Sequence, residues 1–452
     1  MRKYLMASAA LLGLAVAAGG AQAANLAPTD AFQNAGTAGA PKSNSDPGKI
    51  IVRIAGLFAV DTAIVNTTAD KSAVNSSKLQ NYGMAGYFRL YFGVDGRMTN
   101  GLIYGANSEM RTIFAGGQPV GFTGTQTIGN ASANSAGSLW FTRRAYGYIG
   151  GDSWGILRIG QGDGPLSLFN GNSTGEFYST GGWDGDACNF ISQGCVAWFF
   201  PVVGNEYDSN KFTWISPKMN GFNLGVSFAP SSAALSGNDG FTATSGASQR
   251  QATSTIASDV TRPRNIFEIA GRYSGTLGAL GVDAILGYSG SGVVSPASAA
   301  ARPAGVTKVN GLSVFDAGLT VALQGFQVFG HLTTGKMNGS FTPQVKLASC
   351  RTKDGLAWVA GVAYGQGPWI VGTSYVSIDS QGSNGGTGNR TERGIAVGGT
   401  YTVAPGLDFF LEYVYGTRQQ AGVNFRDGGA GLATADNKIT SNILIGTMLV
   451  RW

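Results

Sequence analysis

Arginines set among alternating apolar residues are the first feature of this sequence that could do chemistry. Arg53 falls opposite Ile50, Val52, Ile54 and Phe58. Arg89 shares its alternate positions with Tyr87, Tyr91 and Asp95, opposite Met84, Phe88, Leu90, Phe92 and Val94, and Arg111 shares its own with Asn107 and Glu109. Arg158 lies between Leu157 and Ile159, and Arg143 and Arg144 are adjacent. Guanidinium groups remain charged at physiological pH, so fixed in place they attract or repel ions; they do not make bonds. A second set is acidic: Asp163, Glu176, Asp184 and Asp186, interleaved with Phe169, Phe177, Tyr178 and Trp183. Bond-making chemistry has little to work with. The only histidine, His331, has Gln327 and Thr333 on its face and no nucleophile motif around it. No catalytic residue, metal site or cofactor is expected.

The elements that must carry these charges are strands, because the apolar positions recur with a period of two. Only 12% of residues are charged, yet beyond the N-terminus no run of apolar residues is long enough for a helix to cross a bilayer. The net charge of +6 is too mild to argue for nucleic acid as a partner. At the start, Arg2 and Lys3 precede an apolar run from Leu5 to Ala18, and Ala21-Gln22-Ala23 offers the small residues that a signal peptidase reads. Residues 1–23 therefore read as an export signal, the alternative being an anchor helix. Residues 24–48, rich in Ala, Gly and Pro, read as an unstructured lead-in.

From residue 49 to 452 the pattern predicts sixteen strands. They are expected over 49–60, 82–95, 101–114, 138–150, 154–161, 207–217, 221–229, 264–274, 280–290, 309–323, 326–337, 354–365, 369–379, 393–403, 407–417 and 438–452. Short connections, such as Asn220-Gly221 and Ala404-Pro405-Gly406, alternate strictly with long ones. That regularity fits a closed antiparallel β-barrel crossing a membrane, with all short turns on one side, and does not follow from a soluble sandwich. Closure also removes the open sheet edge that lipid would not tolerate. An arginine facing lipid near midplane costs about 2–4 kcal/mol, so Arg53, Arg89 and Arg111 are assigned to the lumen. Alternation places Arg143 and Arg144 on opposite faces, one inward and the other at a rim. About sixteen strands enclose a bore too wide for side chains to fill, hence an aqueous channel.

The last fifteen residues, KITSNILIGTMLVRW, end on Trp452 with Val450, Met448 and Leu444 on its face, and resemble the closing strand of Gram-negative outer-membrane barrels. AYGYIGGDSWGILRIGQGDGP is similar to the strand-turn-strand that precedes the inward third loop of general diffusion porins. SPKMNGF is similar to that family's Ser-Pro strand end, and Gly175-Glu176-Phe177 is the part of its Pro-Glu-Phe-Gly-Gly segment found here. The resemblance implies an outer-membrane homotrimer of barrels passing small hydrophilic solutes and ions. It implies that the segment of about 162–206 folds into the lumen, where Asp163, Glu176, Asp184 and Asp186 face a basic ladder of Arg53, Arg89, Arg111, Arg158 and one of Arg143 and Arg144. Weak selectivity leaning towards anions is expected, since Asp95, Glu109, Glu268, Asp408 and Glu412 also fall on inward faces. Cys188 and Cys195 lie within the same segment, and an exported chain meets an oxidising compartment. A disulfide between them is expected, two buried or modified thiols being the alternative. The rival functions are a substrate-specific porin for sugars or small organic anions, which would line its lumen with aromatics, and a surface adhesin acting through its Ser/Gly-rich loops.

Overall fold

The structure is a computed structural model that describes residues 46–68, 78–113, 139–170, 173–174, 186–191, 209–231, 254–255, 263–293, 295–296, 311–336, 354–380, 382, 388–423, 425 and 437–452. Sixteen antiparallel strands close into one barrel. They are β1 (Ile50–Thr67), β2 (Tyr82–Arg97), β3 (Ile103–Ile113), β4 (Leu139–Gly151), β5 (Gly155–Gln161), β6 (Asn210–Ile215), β7 (Phe222–Ser231) and β8 (Pro263–Leu277) in the first half. The second half comprises β9 (Leu280–Val293), β10 (Ser313–Leu323), β11 (Phe326–Lys336), β12 (Gly355–Gln366), β13 (Trp369–Ser380), β14 (Arg390–Ala404), β15 (Leu407–Gln419) and β16 (Lys438–Arg451). Each strand pairs with its neighbours in sequence, and β1 closes on β16 from Leu57↔Arg451 to Thr67↔Ser441.

The polarity of this barrel is inside out. On β7, Phe222, Leu224, Val226 and Phe228 are exposed while the intervening Asn223 and Ser227 are buried. On β1, Ile50, Val52 and Ile54 are each more than 60% exposed, whereas Asp61 on the opposite face is fully buried. A chain that turns its apolar side outward on strand after strand is solvated by hydrocarbon, not water. Aromatics Phe58, Phe88, Trp140 and Trp452 form one contiguous outer cluster, with ring centroids 5.5–6.4 Å apart along its links. Trp452 lies over Gly56, where an added Cβ would meet the indole 2.1 Å away, so only glycine admits this ring against the wall. The short connection at Asn220-Gly221 has φ of 52° and 91°, the left-handed pair that a two-residue hairpin turn requires.

Three expectations are corrected. β1 does not stop at Val60 but runs to Thr67; Asp61, just past the expected end, points inward and accepts a 2.7 Å hydrogen bond from Thr447 Oγ1. β14 begins at Arg390, not Arg393, and Arg390 is fully buried on the inner side, over the Phe425 ring. Arg143 and Arg144 do not take opposite faces. The β3–β4 register skips one residue between Glu109↔Arg144 and Met110↔Thr142, leaving Arg143 as the extra residue of a β-bulge. A bulge interrupts the alternation, so both guanidiniums reach Glu109.

Candidate functional site

Past β5 the described pieces of the chain lie against inner faces of the barrel strands. Pro165 opens a single helical turn, α1 (Pro165–Phe169), with Gly164 at its N-cap; proline suits this position because its missing N–H is not needed there. The turn packs on the inner faces of β7, β8 and β9. Leu166, Leu168 and Phe169 are buried with Ile215, Ala270 and Ile285, and the Leu166 N–H donates to Glu268 Oε2 at 3.2 Å. Farther on, Ser173 reaches β11, and the short helix Asp186–Phe190 lies against β1 and β2, where Phe190 touches Gly83. The described pieces of this segment therefore line both sides of the lumen.

Facing it, β1 to β6 present the basic wall. Arg53 binds the Asp95 carboxylate through Nε and Nη2, and Tyr148 donates its hydroxyl to the same carboxylate. Glu109 is the hub. Arg111 Nε lies 2.5 Å from one of its oxygens, Arg143 Nη1 3.4 Å from the same oxygen, and Arg144 Nη1 on the other. Arg144 continues to Asp163, with Nε 2.5 Å and Nη2 2.8 Å from the carboxylate, tying the start of the inward segment to the wall. Lys211 Nζ donates to the Gly162 carbonyl at 2.7 Å. Burial pushes the Asp163 carboxyl up, but the charges of Arg144, Arg143 and Lys211 outweigh it and hold the group below its ordinary value. Arg89 stacks over Tyr87 at 4.4 Å, and Arg158 over Tyr146 at 5.0 Å. No nitrogen of the Arg158 guanidinium group has a hydrogen-bond partner among the described residues.

All five arginines of the proposed ladder thus lie on this wall, with Arg144 beside them. Asp163 is joined to it directly instead of facing it across an opening. Asp186 opens the short helix at the Gly83 end of β2, six residues or about 20 Å along the strand from Arg89. Glu176, Asp184 and Cys195 fall outside the described residues, and of Cys188 only the backbone is described. Among the described residues no three His, Cys, Asp or Glu side chains form a group that could hold a metal ion. Sequence reasoning missed two contacts. Lys211 gave no signal, because it stands at the edge of a short strand. Ser173 hydrogen-bonds His331, a pairing of residues 158 positions apart that no local pattern reveals.

A closed sixteen-stranded barrel with an apolar exterior and a charged inner wall defines a transmembrane β-barrel channel. The chain belongs to the Gram-negative porin family, whose model matches residues 7–421. Among solved structures it is similar to OmpF of Salmonella typhi in complex with daunomycin (10% identity over 89% of this chain and 97% of that one, TM-score 0.53). It is likewise similar to an anion-selective porin from Comamonas acidovorans (14%, 89% and 100%, TM-score 0.52). The outer membrane channel DcaP of Acinetobacter baumannii also matches (10%, 90% and 99%, TM-score 0.50). At such identities the likeness establishes the fold alone. A search of curated proteins gave no match.

Proposed function

We propose that this outer-membrane channel passes small hydrophilic solutes and ions by passive diffusion, with weak selectivity favouring anions, and that it works as a homotrimer. The observation carrying the anion preference is the crowding of Arg111, Arg143 and Arg144 on the single carboxylate Glu109, with Arg89 and Arg158 nearby on the same wall. Cations in excess of acids on one inner wall raise the local concentration of anions in a wet bore. On this reading residues 1–23 are removed on export, 24–48 form a lead-in, and residues 49–452 make the barrel. The inward segment of 162–206 narrows it, stiffened by a Cys188–Cys195 disulfide. Glu176, Asp184 and Asp186 supply its acidic side. No catalytic role is assigned.

A second reading, a channel specific for small organic anions or sugars, draws on the stacking of Arg89 on Tyr87 with Tyr91 beside them, since a cation framed by aromatics suits a solute carrying both charge and an apolar face. The deciding experiment is current through the refolded protein in a planar bilayer under a KCl gradient. Large ohmic steps with a zero-current potential on the chloride side, closing in threes, support diffusion through a trimer. Small currents blocked saturably by one solute support the specific channel, and a potential on the potassium side overturns the anion preference.

A further inference from the structure

Just past α1 the inward segment is held by three side chains that local sequence does not bring together. Ser173 Oγ lies 2.8 Å from His331 Nδ1, and His331 Nε2 lies 2.8 Å from Asp316 Oδ1. The second Asp316 oxygen accepts from Thr333 Oγ1 at 2.7 Å. All four residues are buried: Ser173 is 2% exposed, His331 3%, Asp316 1% and Thr333 not at all. Serine, histidine and aspartate in a line are also the parts of an acyl-transfer device, but that needs an open nucleophile with space for a carbonyl beside it. Here the space is taken. A Cβ built on Gly318 would stand 2.5 Å from Ser173 Oγ, 2.7 Å from His331 Nδ1 and 2.8 Å from Ile285 Cγ2. The line is a close-packed connector.

We propose that His331 is a positioning residue of the channel, a rigid two-ended link that fixes the inward segment to the β10–β11 wall and so sets the bore. Imidazole suits the task because its two nitrogens hydrogen-bond in different directions from one planar ring. The link complements the anchorage at the near end, where Asp163 meets Arg144 and Leu166 meets Glu268. Between them the two anchors fix α1 from both sides, so losing the second loosens α1 against the wall. The residue placed at Gly318 matters for the same reason: its missing side chain is what allows Ser173 and His331 to meet.

This inference rests on the channel reading, and the test separates the two. Ser173→Ala and His331→Ala are compared with the unaltered protein by hydrogen–deuterium exchange at the Leu166 and Leu168 amides, and by open-channel current noise in bilayers. Exchange and noise are each expected to rise several-fold in both variants, and no further when the two substitutions are combined, because they break one link. In a His331→Ala protein lacking Cys188, Cys195 and Cys350, adding Ser173→Cys and Gly318→Cys and oxidising the pair should restore the quiet current, which loss of general stability would not allow. Unchanged exchange in folded Ser173→Ala overturns the link. Faster exchange with unchanged noise overturns its role in setting the bore. Faster exchange in a protein that conducts no current leaves the link standing and removes the channel reading. Ser173→Ala, outside the barrel ladder, remains available if His331→Ala does not fold.

Discussion

On β3 and β4 one carboxylate serves three cations, whereas elsewhere on the inner wall Arg272, Arg418 and Arg451 each meet an acid of their own. Glu109 is shared by Arg111, Arg143 and Arg144. Elsewhere on the inner wall Arg272 pairs with Asp283, Arg418 with Glu392 and Arg451 with Asp408. The two walls are built from the same kind of strand. Their difference is therefore one of stoichiometry. A matched pair cancels its own field at a distance and acts as a fastening within the wall. An unmatched cluster leaves positive potential for the bore, and the wall that carries it is also the one bearing Arg89 and Arg158 on aromatic faces instead of on acids.

The contrast can be broken most forcefully at its hub. Glu109→Gln leaves three buried guanidiniums facing one another without their shared acid, and should lower barrel stability by about 3–5 kcal/mol. The urea midpoint of the folded protein in detergent measures it, and a shift no larger than that of an exposed substitution would mean that Glu109 does not hold the cluster together. Charge reversal comes next. Arg89→Glu should move the zero-current potential in a KCl gradient towards potassium, while Arg451→Glu, at a matched pair, should move it less; equal shifts would erase the distinction between the walls.

Smaller effects sharpen it. Arg158→Met removes a buried cation with no acid on it among the described residues and replaces it with apolar volume, so stability should stay within about 1 kcal/mol of the original or rise, while anion preference weakens. A loss of several kcal/mol would show that Arg158 is fastened after all. The smallest effect concerns acid. Asp163 is held below its ordinary value when folded, so its tie to Arg144 contributes fully above the unfolded carboxylate value of about 3.9 and is lost only as pH falls through the lower, folded value. Protection of the Leu166 amide should accordingly persist as pH drops past about 4, and Asp163→Asn should abolish that persistence.

Strand positions were legible because lipid outside and water inside force one alternation on every crossing, as Phe222, Leu224, Val226 and Phe228 show against Asn223 and Ser227. Where that rule failed, the reason is local. The first strand was expected to stop at Val60, one residue short of Asp61, whose face is the lumen, where Thr447 from the closing strand meets it. Arg143 and Arg144 read as facing opposite ways because alternation was applied through a bulge, and a bulge depends on how the neighbouring strand is spaced, not on the dipeptide itself. The basic residues of the site could be found one by one; that Glu109 gathers three of them could not, since sharing depends on register between β3 and β4.

By itself the sequence determined the class of element, the number of crossings, which face of each meets lipid, and the residues that would carry charge into the lumen. These follow from solvation, which acts on each residue separately and leaves its mark at a spacing of two. Tertiary structure alone decided which charges are matched and which are in surplus, and that Ser173, Asp316 and His331 meet. Those outcomes arise between strands and across the bore, where distances are set by closure of the whole barrel and by a bulge and a missing Cβ at Gly318, and none of these is written in the neighbourhood of the residues it joins.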